Sequence, residues 1–243
     1  MDSILILGAS SDIAKALAEK YAQEKYDLYL TSKKYDDIKT FSEKLKEKYS
    51  INVNCFELNI LDTYSHKNFY NSINKKPFGV ITAIGYLGNQ KLAQNSFEEH
   101  KKIVLTNYLA IASLLNIVAN DFEKRKSGFI IGISSVAGDR GRKSNYIYGS
   151  SKSGFSTYLS GLRNRLYKSN VNVLTVKPGF VFTKMTKDMN LPRKLTSNPK
   201  EVAELIYKAQ KNNRSVLYVK QIWSLIMFII KLIPEWKFKK MDL

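Results

Sequence analysis

Residues 4–21, ILILGASSDIAKALAEKY, decide the fold that we predict for this chain. Four apolar residues lead into Gly8, small polar residues follow, and apolar residues then recur at helical spacing. A buried strand, a tight turn and a helix are typical of a dinucleotide-binding unit, in which the helix N-terminus receives a pyrophosphate. The usual pattern has three glycines, and here Asp12 and Ala14 occupy the second and third positions. Taken alone, this stretch also fits an ordinary strand–turn–helix connection.

Strand-like and helix-like runs alternate along all 243 residues, 44% of which are hydrophobic. Predicted strands lie at 3–8, 26–32, 52–60, 78–85, 127–135, 171–179 and 215–219, and predicted helices at 12–24, 35–49, 96–126, 148–168 and 199–212. This alternation predicts one Rossmann-type α/β domain over residues 1–219, a doubly wound parallel sheet of about seven strands with helices on both faces. Ligands in such sheets bind at the carboxyl ends of the strands.

Tyr148 and Lys152 are the first residues that indicate a specific chemistry. They are four positions apart in a predicted helix and therefore share one of its faces. A lysine ammonium near a phenol favours the phenolate, so we expect Lys152 to lower the pKa of Tyr148 and to make it a proton donor nearer neutral pH. Ser135, thirteen residues earlier at the end of the fifth strand, is placed to hold a carbonyl beside the phenol. A tyrosine and a lysine at this spacing, taken without such a serine, are more often an exposed helix pair with no catalytic role.

In this order and spacing, the motifs resemble the classical short-chain dehydrogenase/reductase family over almost the whole chain. The resemblance implies an NAD(P)-dependent oxidoreductase that acts on CH–OH groups, with Ser135, Tyr148 and Lys152 catalytic and Asn107 supporting a proton relay. The chain keeps Gly85 but not the asparagines that usually precede it in the family. The cofactor contacts implied by the resemblance are Gly8, Ser10, Ser11, Asp12, Ile13, Ser32, Lys33, Asn59, Ile60, Ala83, Gly85, Tyr148, Lys152, Pro178, Gly179, Val181 and Thr183. No residue is assigned to a metal.

The end of the second strand bears on the choice of cofactor. An acidic residue there would hold the ribose hydroxyls of NADH. This chain has Ser32, Lys33 and Lys34 instead, and the first carboxylate after them is Asp36. We therefore predict NADPH as the preferred cofactor, with NADH as the alternative because these lysines are also consistent with solvated surface charge.

Two segments, LGASSDIA at 7–14 and AIGYLG at 83–88, further resemble the decaprenylphosphoryl-2-keto-ribose reductases and their relatives in cell-surface polysaccharide pathways. That resemblance implies reduction of a ketone on a lipid-linked sugar. Basic side chains near the expected substrate opening are candidates to bind its phosphate, namely Arg140, Arg142, Lys143, Arg193 and Lys194. Two alternatives stay open: reduction of a lipid ketone such as a 3-oxoacyl or keto-sphingoid compound, and a non-catalytic binding protein on the same fold.

The C-terminal segment 220–243 combines an apolar run with a basic end. Residues 222–230 carry no charge, Trp223 and Trp236 flank the run, and from residue 211 onwards there are seven basic and two acidic residues. Such a segment suits an anionic membrane surface, although a core helix or a homo-oligomer contact is also consistent with it. The run is too short to span a bilayer.

Charge and cysteine content restrict the partners and the compartment. The net charge of +18 fits anionic partners, but no nucleic-acid-binding motif accompanies it, so no nucleic acid is expected. Cys55 is the single cysteine and excludes an intrachain disulfide, which is typical of a reducing compartment. We therefore expect a cytoplasmic protein, peripheral at the inner face of the cell membrane.

Overall fold

The computed structural model describes residues 1–187 and 189–242. Within them, the strands are β1 Ser3–Leu7, β2 Asp27–Ser32, β3 Val53–Glu57, β4 Gly79–Thr82, β5 Gly128–Ile133, β6 Val171–Lys177, β7 Phe180–Val181, β8 Thr196–Ser197 and β9 Val216–Tyr218. The helices are α1 Asp12–Gln23, α2 Asp36–Tyr49, α3 His66–Ser72, α4 Gln90–Asn95, α5 Phe97–Val104, α6 Ala110–Arg125, α7 Tyr146–Leu166, α8 Pro199–Lys211, α9 Ile222–Leu232 and α10 Glu235–Phe238.

Seven strands form one parallel sheet in the order β3-β2-β1-β4-β5-β6-β9, and β7 pairs with β8 separately. The predicted fold class is therefore confirmed. β1 lies inside the sheet, between β2 and β4, and its side chains are buried on both faces. Ile4 and Ile6 join the core beneath α1 and α8, whereas Leu5 and Leu7 join the core beneath α6 and α7. This alternation explains why β1 is a continuous apolar run.

The chain between residues 97 and 125 is long and apolar enough to cross a membrane by length and composition alone. In the fold, this stretch packs on the sheet, with Ile111, Leu114 and Leu115 fully buried. Its apolar character therefore has a sufficient explanation in the core of the domain. The shorter apolar helix α9 has a different environment, with Trp223 and Met227 buried and most of its other large side chains open to solvent.

The helix predicted over 96–126 is interrupted by one π-helical turn, Leu105–Leu109. The amide of Ala110 bonds to the carbonyl of Leu105, five residues earlier, and the Asn107 side chain donates to the carbonyl of Ile103 at 2.8 Å. Single π turns of this kind occur frequently at functional sites. Here the turn directs Asn107 towards the segment that follows β4.

Candidate active site

The turn after β1 brings the chain into a cleft at the carboxyl edge of the sheet. Gly8 adopts φ +80°, and a Cβ atom there would lie 2.7 Å from the Ile84 side chain, so both conformation and space require glycine. Ser11 caps α1, with its hydroxyl oxygen accepting from the amide of Ala14 at 3.3 Å. The first-turn amides of α1 face the cleft and suit an anion such as a pyrophosphate.

Asp12 stands where the family pattern has its second glycine, next to this anion site. One of its carboxylate oxygens accepts a 2.7 Å hydrogen bond from the backbone amide of Lys184. The carboxylate is therefore directed across the cleft to the segment after β7. This contact explains how a negative residue is accommodated in the turn, and it links the turn to the far wall of the cleft.

Tyr148 and Lys152 lie in the first two turns of α7, on the same face as the spacing predicts. Lys152 is 2% exposed, and its Nζ lies 5.9 Å from the centre of the Tyr148 ring. The ammonium donates to the carbonyl of Ile133 at 3.1 Å, and that is its one protein partner within the described residues. Two of its three N–H donors are therefore available, which fits the ribose hydroxyls of a nicotinamide cofactor.

Burial dominates the protonation of this pair. It raises the pKa of Tyr148 to about 12, with the Ser135 hydroxyl acting in the opposite direction, and it lowers the pKa of Lys152 to about 8. The structure therefore does not show the expected lowering of the Tyr148 pKa by Lys152, because burial raises that pKa and the opposing contact is with Ser135. Tyr148 is held as a neutral phenol at physiological pH, which suits a proton donor.

The two serines that follow β5 have different roles. The Ser134 hydroxyl donates to the carbonyl of Lys152 at 3.0 Å, and its oxygen lies 2.7 Å from that of Ser156, so it ties β5 to α7. The Ser135 oxygen accepts from the amide of Ala137 at 3.1 Å, and the side chain faces Tyr148. Ser135 is the serine in position to hold a carbonyl oxygen beside the phenol.

Asn107 is fully buried and acts on the segment after β4. Its amide nitrogen donates to the carbonyl of Tyr86 at 2.6 Å, and its oxygen accepts from the amide of Tyr86 at 3.0 Å. A Cβ atom at the neighbouring Gly85 would lie 3.7 Å from Lys152 Nζ. The asparagine therefore fixes the backbone that passes over Lys152.

A single cavity of about 340 Å³ joins the turn after β1 to Tyr148. Twelve of the predicted cofactor or catalytic residues line it, namely Ser11, Asp12, Ile13, Ala83, Gly85, Ser135, Tyr148, Lys152, Pro178, Gly179, Val181 and Thr183. One cleft therefore contains the N-terminus of α1, the buried Lys152 ammonium and Tyr148. This arrangement fits a dinucleotide, with its phosphates at α1 and its nicotinamide beside Tyr148.

The remaining predicted cofactor residues lie outside the lining of this cavity. Gly8 and Ser10 shape the turn, and Ser32, Lys33 and Asn59 follow the ends of β2 and β3. Ile60 is 7% exposed and packs in the core, while its carbonyl contacts Nε2 of the buried His66 at 3.0 Å. Its side chain is therefore structural.

A carboxylate that was not predicted from the sequence lies at the end of β2. The Ser32 hydroxyl donates to a carboxylate oxygen of Asp37 at 3.4 Å, because the first turn of α2 brings Asp37 back towards the strand. Lys33 and Lys34 are exposed and form no ion pair in the described part of the chain. This corner therefore contains both a candidate ribose-binding carboxylate and two candidate phosphate-binding lysines.

Arg140 is not available for substrate, which corrects its predicted role. Its guanidinium donates to the carbonyls of Ile230 and Ile233 at 2.5 and 2.6 Å, pairs with Glu235 at 2.9 Å and lies 3.7 Å from the Phe238 ring centre. The arginine caps the C-terminus of α9 and attaches that helix to the segment between Ser135 and Tyr148.

Of the other predicted phosphate-binding residues, one lines the cavity. Lys143 is exposed and pairs with Asp242 at 2.7 Å, and Arg193 and Lys194 are exposed and do not line the cavity. Arg142 does line it, beside Asn145 and Tyr148. Of the five predicted basic residues, Arg142 is thus the one that the fold brings to the cavity that Tyr148 lines.

Trp223 of α9 also lines the cavity, which composition alone did not indicate. Its indole packs against the backbone of Gly179, where any Cβ atom would overlap the ring, and its Nε1 donates to the carbonyl of Leu195 at 3.0 Å. The C-terminal segment therefore completes the wall next to the predicted nicotinamide site.

Fold and site together define an oxidoreductase of the nicotinamide-dependent type. The profile of the short chain dehydrogenase family matches residues 2–194, and the chain belongs to this family. An uncharacterised oxidoreductase of Mycobacterium tuberculosis is 31% identical over 243 aligned residues, covering 98% of this chain and 96% of the relative. The NADP-dependent 3-hydroxy acid dehydrogenase of Schizosaccharomyces pombe is 25% identical, covering 88% of this chain and 89% of that protein.

Among solved structures, the short-chain dehydrogenase from Sphingobium yanoikuyae in complex with NADPH superimposes with a TM-score of 0.84 at 20% identity. The match covers 97% of each chain. At this identity the likeness establishes the fold, including the whole parallel sheet.

Proposed function

We propose that this protein is an NADPH-dependent ketone reductase whose substrate is a keto-sugar carried on a lipid phosphate, in cell-envelope polysaccharide synthesis. The observation that carries the proposal is one cavity, which joins a dinucleotide cleft, a half-buried tyrosine that stays neutral and an apolar mouth formed partly by α9. A lipid-linked ketone needs all three features. The resemblance of segments 7–14 and 83–88 to lipid-linked keto-sugar reductases supports the same substrate class.

The residues divide the work of such a reduction. Bound NADPH supplies the hydride. Ser135 holds the carbonyl oxygen, and Tyr148 donates its phenolic proton to that oxygen as negative charge develops on it. Lys152 holds the nicotinamide ribose through its free N–H donors and stabilises the phenolate that remains. Asn107 keeps the segment over Lys152 in place.

NADPH is supported by the open position of Lys33 and Lys34, and by the NADP(H) named for the relatives from S. pombe and Sphingobium yanoikuyae. Asp37 is the observation that favours NADH instead, because its carboxylate lies at the end of β2. The two lysines offer two charges to a 2′-phosphate, whereas Asp37 is already engaged by Ser32.

The membrane part of the proposal rests on the outer face of α9. Leu225, Phe228, Ile229 and Leu232 recur at helical spacing, and each is more than half exposed. The exposed lysines nearby are Lys231, Lys237, Lys239 and Lys240. Apolar side chains ringed by cations suit the headgroup region of an anionic bilayer. The same helix lines the cavity through Trp223 on its inner face, so docking would place the active site, on the cytoplasmic side, next to a lipid-held substrate.

The chemistry is tested with a lipid extract and NADPH. Mass spectrometry should find a phosphate-containing lipid that gains two hydrogens with the wild-type protein and not with Tyr148→Phe. A product lacking phosphate would favour the second candidate, reduction of a lipid ketone, which the apolar cavity and the hydroxy acid relative support. A wild-type protein that binds NADPH but changes no lipid would overturn both.

Docking is tested separately with vesicles. Phe228→Ser should reduce cosedimentation with anionic vesicles, whereas Phe97→Ser, which alters an exposed phenylalanine on α5, should not. Equal binding of both variants, or equal binding of the wild type to neutral vesicles, would contradict a docking role for α9.

A further inference from the structure

Arg142 has an environment that its position in the chain does not explain. Its neighbours Gly141 and Lys143 are exposed, yet its Nε atom is buried and has no hydrogen-bond partner within the described residues. Burial lowers the pKa of this guanidinium, and no carboxylate acts in the opposite direction. An arginine remains charged in proteins, so the fold keeps an unpaired cation at the wall of the cavity.

Asn145 provides a second, independent observation at the same place. It precedes α7 in the capping position, but its side chain caps nothing. The amide of Ile147, which a capping asparagine can bind, donates instead to the Gln90 side chain at 3.1 Å. The Asn145 side-chain oxygen is buried and without a partner in the described part of the chain, and the residue lines the cavity with Arg142.

Apolar side chains line the same cavity as these two polar groups. The cavity wall includes Leu87, Met185, Met189 and Trp223. A ligand that satisfies this wall is amphiphilic, with one anionic group and an apolar portion. A guanidinium binds the paired oxygens of a phosphate through two parallel N–H donors. The Asn145 oxygen is an acceptor, so its amide group turns by 180° to place the nitrogen, with its N–H donors, where the unpartnered oxygen lies, and it then donates to the same phosphate oxygens.

We propose that Arg142 and Asn145 form a phosphate-binding subsite for the substrate, beside Tyr148. This deepens the proposed function, on which it rests, because it assigns the recognition of the lipid phosphate to two residues. Arg140, Lys143 and Arg193 have no part in it, since the first two bind protein partners and the third lies away from the cavity. The subsite selects ketones that carry a phosphate ester over neutral ketones of the same shape.

The subsite is tested by binding to the NADP⁺-saturated protein, with octyl phosphate, octyl glucoside and inorganic phosphate as probes. Calorimetry should show that Arg142→Gln weakens octyl phosphate about tenfold to a hundredfold, the loss of a charge-assisted hydrogen bond. Arg142→Lys should keep part of the affinity because it retains the charge but not the planar fork. Lys143→Gln, which removes the adjacent exposed cation, should leave the affinity for octyl phosphate unchanged. The affinity for octyl glucoside should be the same in all these variants.

Asn145→Ala should also weaken octyl phosphate, without the loss of thermal stability that follows removal of a helix cap. Inorganic phosphate should bind more weakly than octyl phosphate, because the apolar wall contributes to the affinity for the octyl chain. Equal affinities would contradict the inference that the ligand is amphiphilic. Equal losses in Arg142→Gln and Lys143→Gln, or octyl phosphate binding no better than octyl glucoside, would overturn the subsite. Failure of the proposed function has a different signature, namely intact octyl phosphate binding with no lipid reduced.

Discussion

The two ends of the cavity are built in different ways. At the nucleotide end, Ser11, Asp12 and Ile13 are consecutive residues, placed by the strand–turn–helix connection to which they belong. At the mouth, Arg142 and Trp223 come from segments eighty positions apart and meet only in the folded protein. The nucleotide end therefore depends on local conformation, and the mouth depends on tertiary packing. A substitution at the nucleotide end should therefore change cofactor affinity. A substitution at the mouth should change the free energy of unfolding or the choice of substrate.

Tyr148 lines the cavity where the predicted nicotinamide site meets the mouth. Its loss should reduce the reaction rate more than any other substitution. Removing a general acid from a reduction typically costs a factor of about 10²–10⁴ in rate. Tyr148→Phe should show this loss in the rate of NADPH oxidation with a ketone substrate, while fluorescence titration gives an almost unchanged NADPH affinity. A variant that retains near wild-type turnover would show that another group donates the proton.

Trp223→Ala should test the packing of the mouth. The side chain is 5% exposed and rests on Gly179, so we expect the free energy of unfolding to fall by about 3–5 kcal/mol. Phe228→Ser, on the outer face of the same helix, should change it by less than about 0.5 kcal/mol. Denaturant unfolding measures both. Similar values for the two variants would mean that α9 packs differently from the arrangement described.

Lys152 should give the wild type a pH-dependent stability. Its pKa is about 8 in the folded protein, against an ordinary value of 10.5 for a solvated lysine, so the buried ammonium destabilises the fold fully below pH 8. This destabilisation is lost as the pH rises from 8 towards 10.5, because the unfolded chain binds more protons there. Relative to Lys152→Met, the wild type should gain up to about 3 kcal/mol over that window in denaturant titrations. A constant difference between the two proteins would contradict the lowered pKa.

At the nucleotide end, Lys33→Ala combined with Lys34→Ala should weaken NADPH and leave NADH almost unchanged. Each lost phosphate contact is expected to cost about 1.5–3 kcal/mol. Asp37→Ala should do the reverse and weaken NADH more than NADPH, if its carboxylate reaches the ribose. Dissociation constants for both cofactors decide this, and parallel losses in the lysine variant would show that the lysines do not bind the 2′-phosphate.

The strands, and the placement of Tyr148 and Lys152 on one helix face, were predictable because they depend on short-range pattern. β1 is a run of buried side chains, and Tyr148 and Lys152 share a face through a four-residue spacing that any α-helix imposes. The short helices α3 and α4 and the π turn at Asn107 were not predicted. α3 and α4 have seven and six residues, which is too few to show a helical period. A single π turn inside an apolar helical run changes no hydrophobic pattern that the sequence displays.

The substrate side was not predictable in the same way. Sequence shows that residue 140 is basic, but its partners are carbonyls some ninety positions later. Three basic residues of one short loop have different surroundings: Arg140 binds α9, Lys143 pairs with Asp242, and Arg142 lines the cavity. Asp37 was missed for a related reason, since only the turn into α2 brings it next to Ser32.

The packing of Trp223 on Gly179 bears on how the chain folds during its synthesis. β1, which lies inside the sheet, is made before α9, which follows the edge strand β9. Nascent domains fold from the N-terminus as the chain emerges, so the nucleotide cleft and Tyr148 can assemble while Trp223 is still unmade. We expect a ribosome-bound nascent chain that stops before α9 to retain NADPH without a closed mouth, and the mouth to close once α9 has emerged.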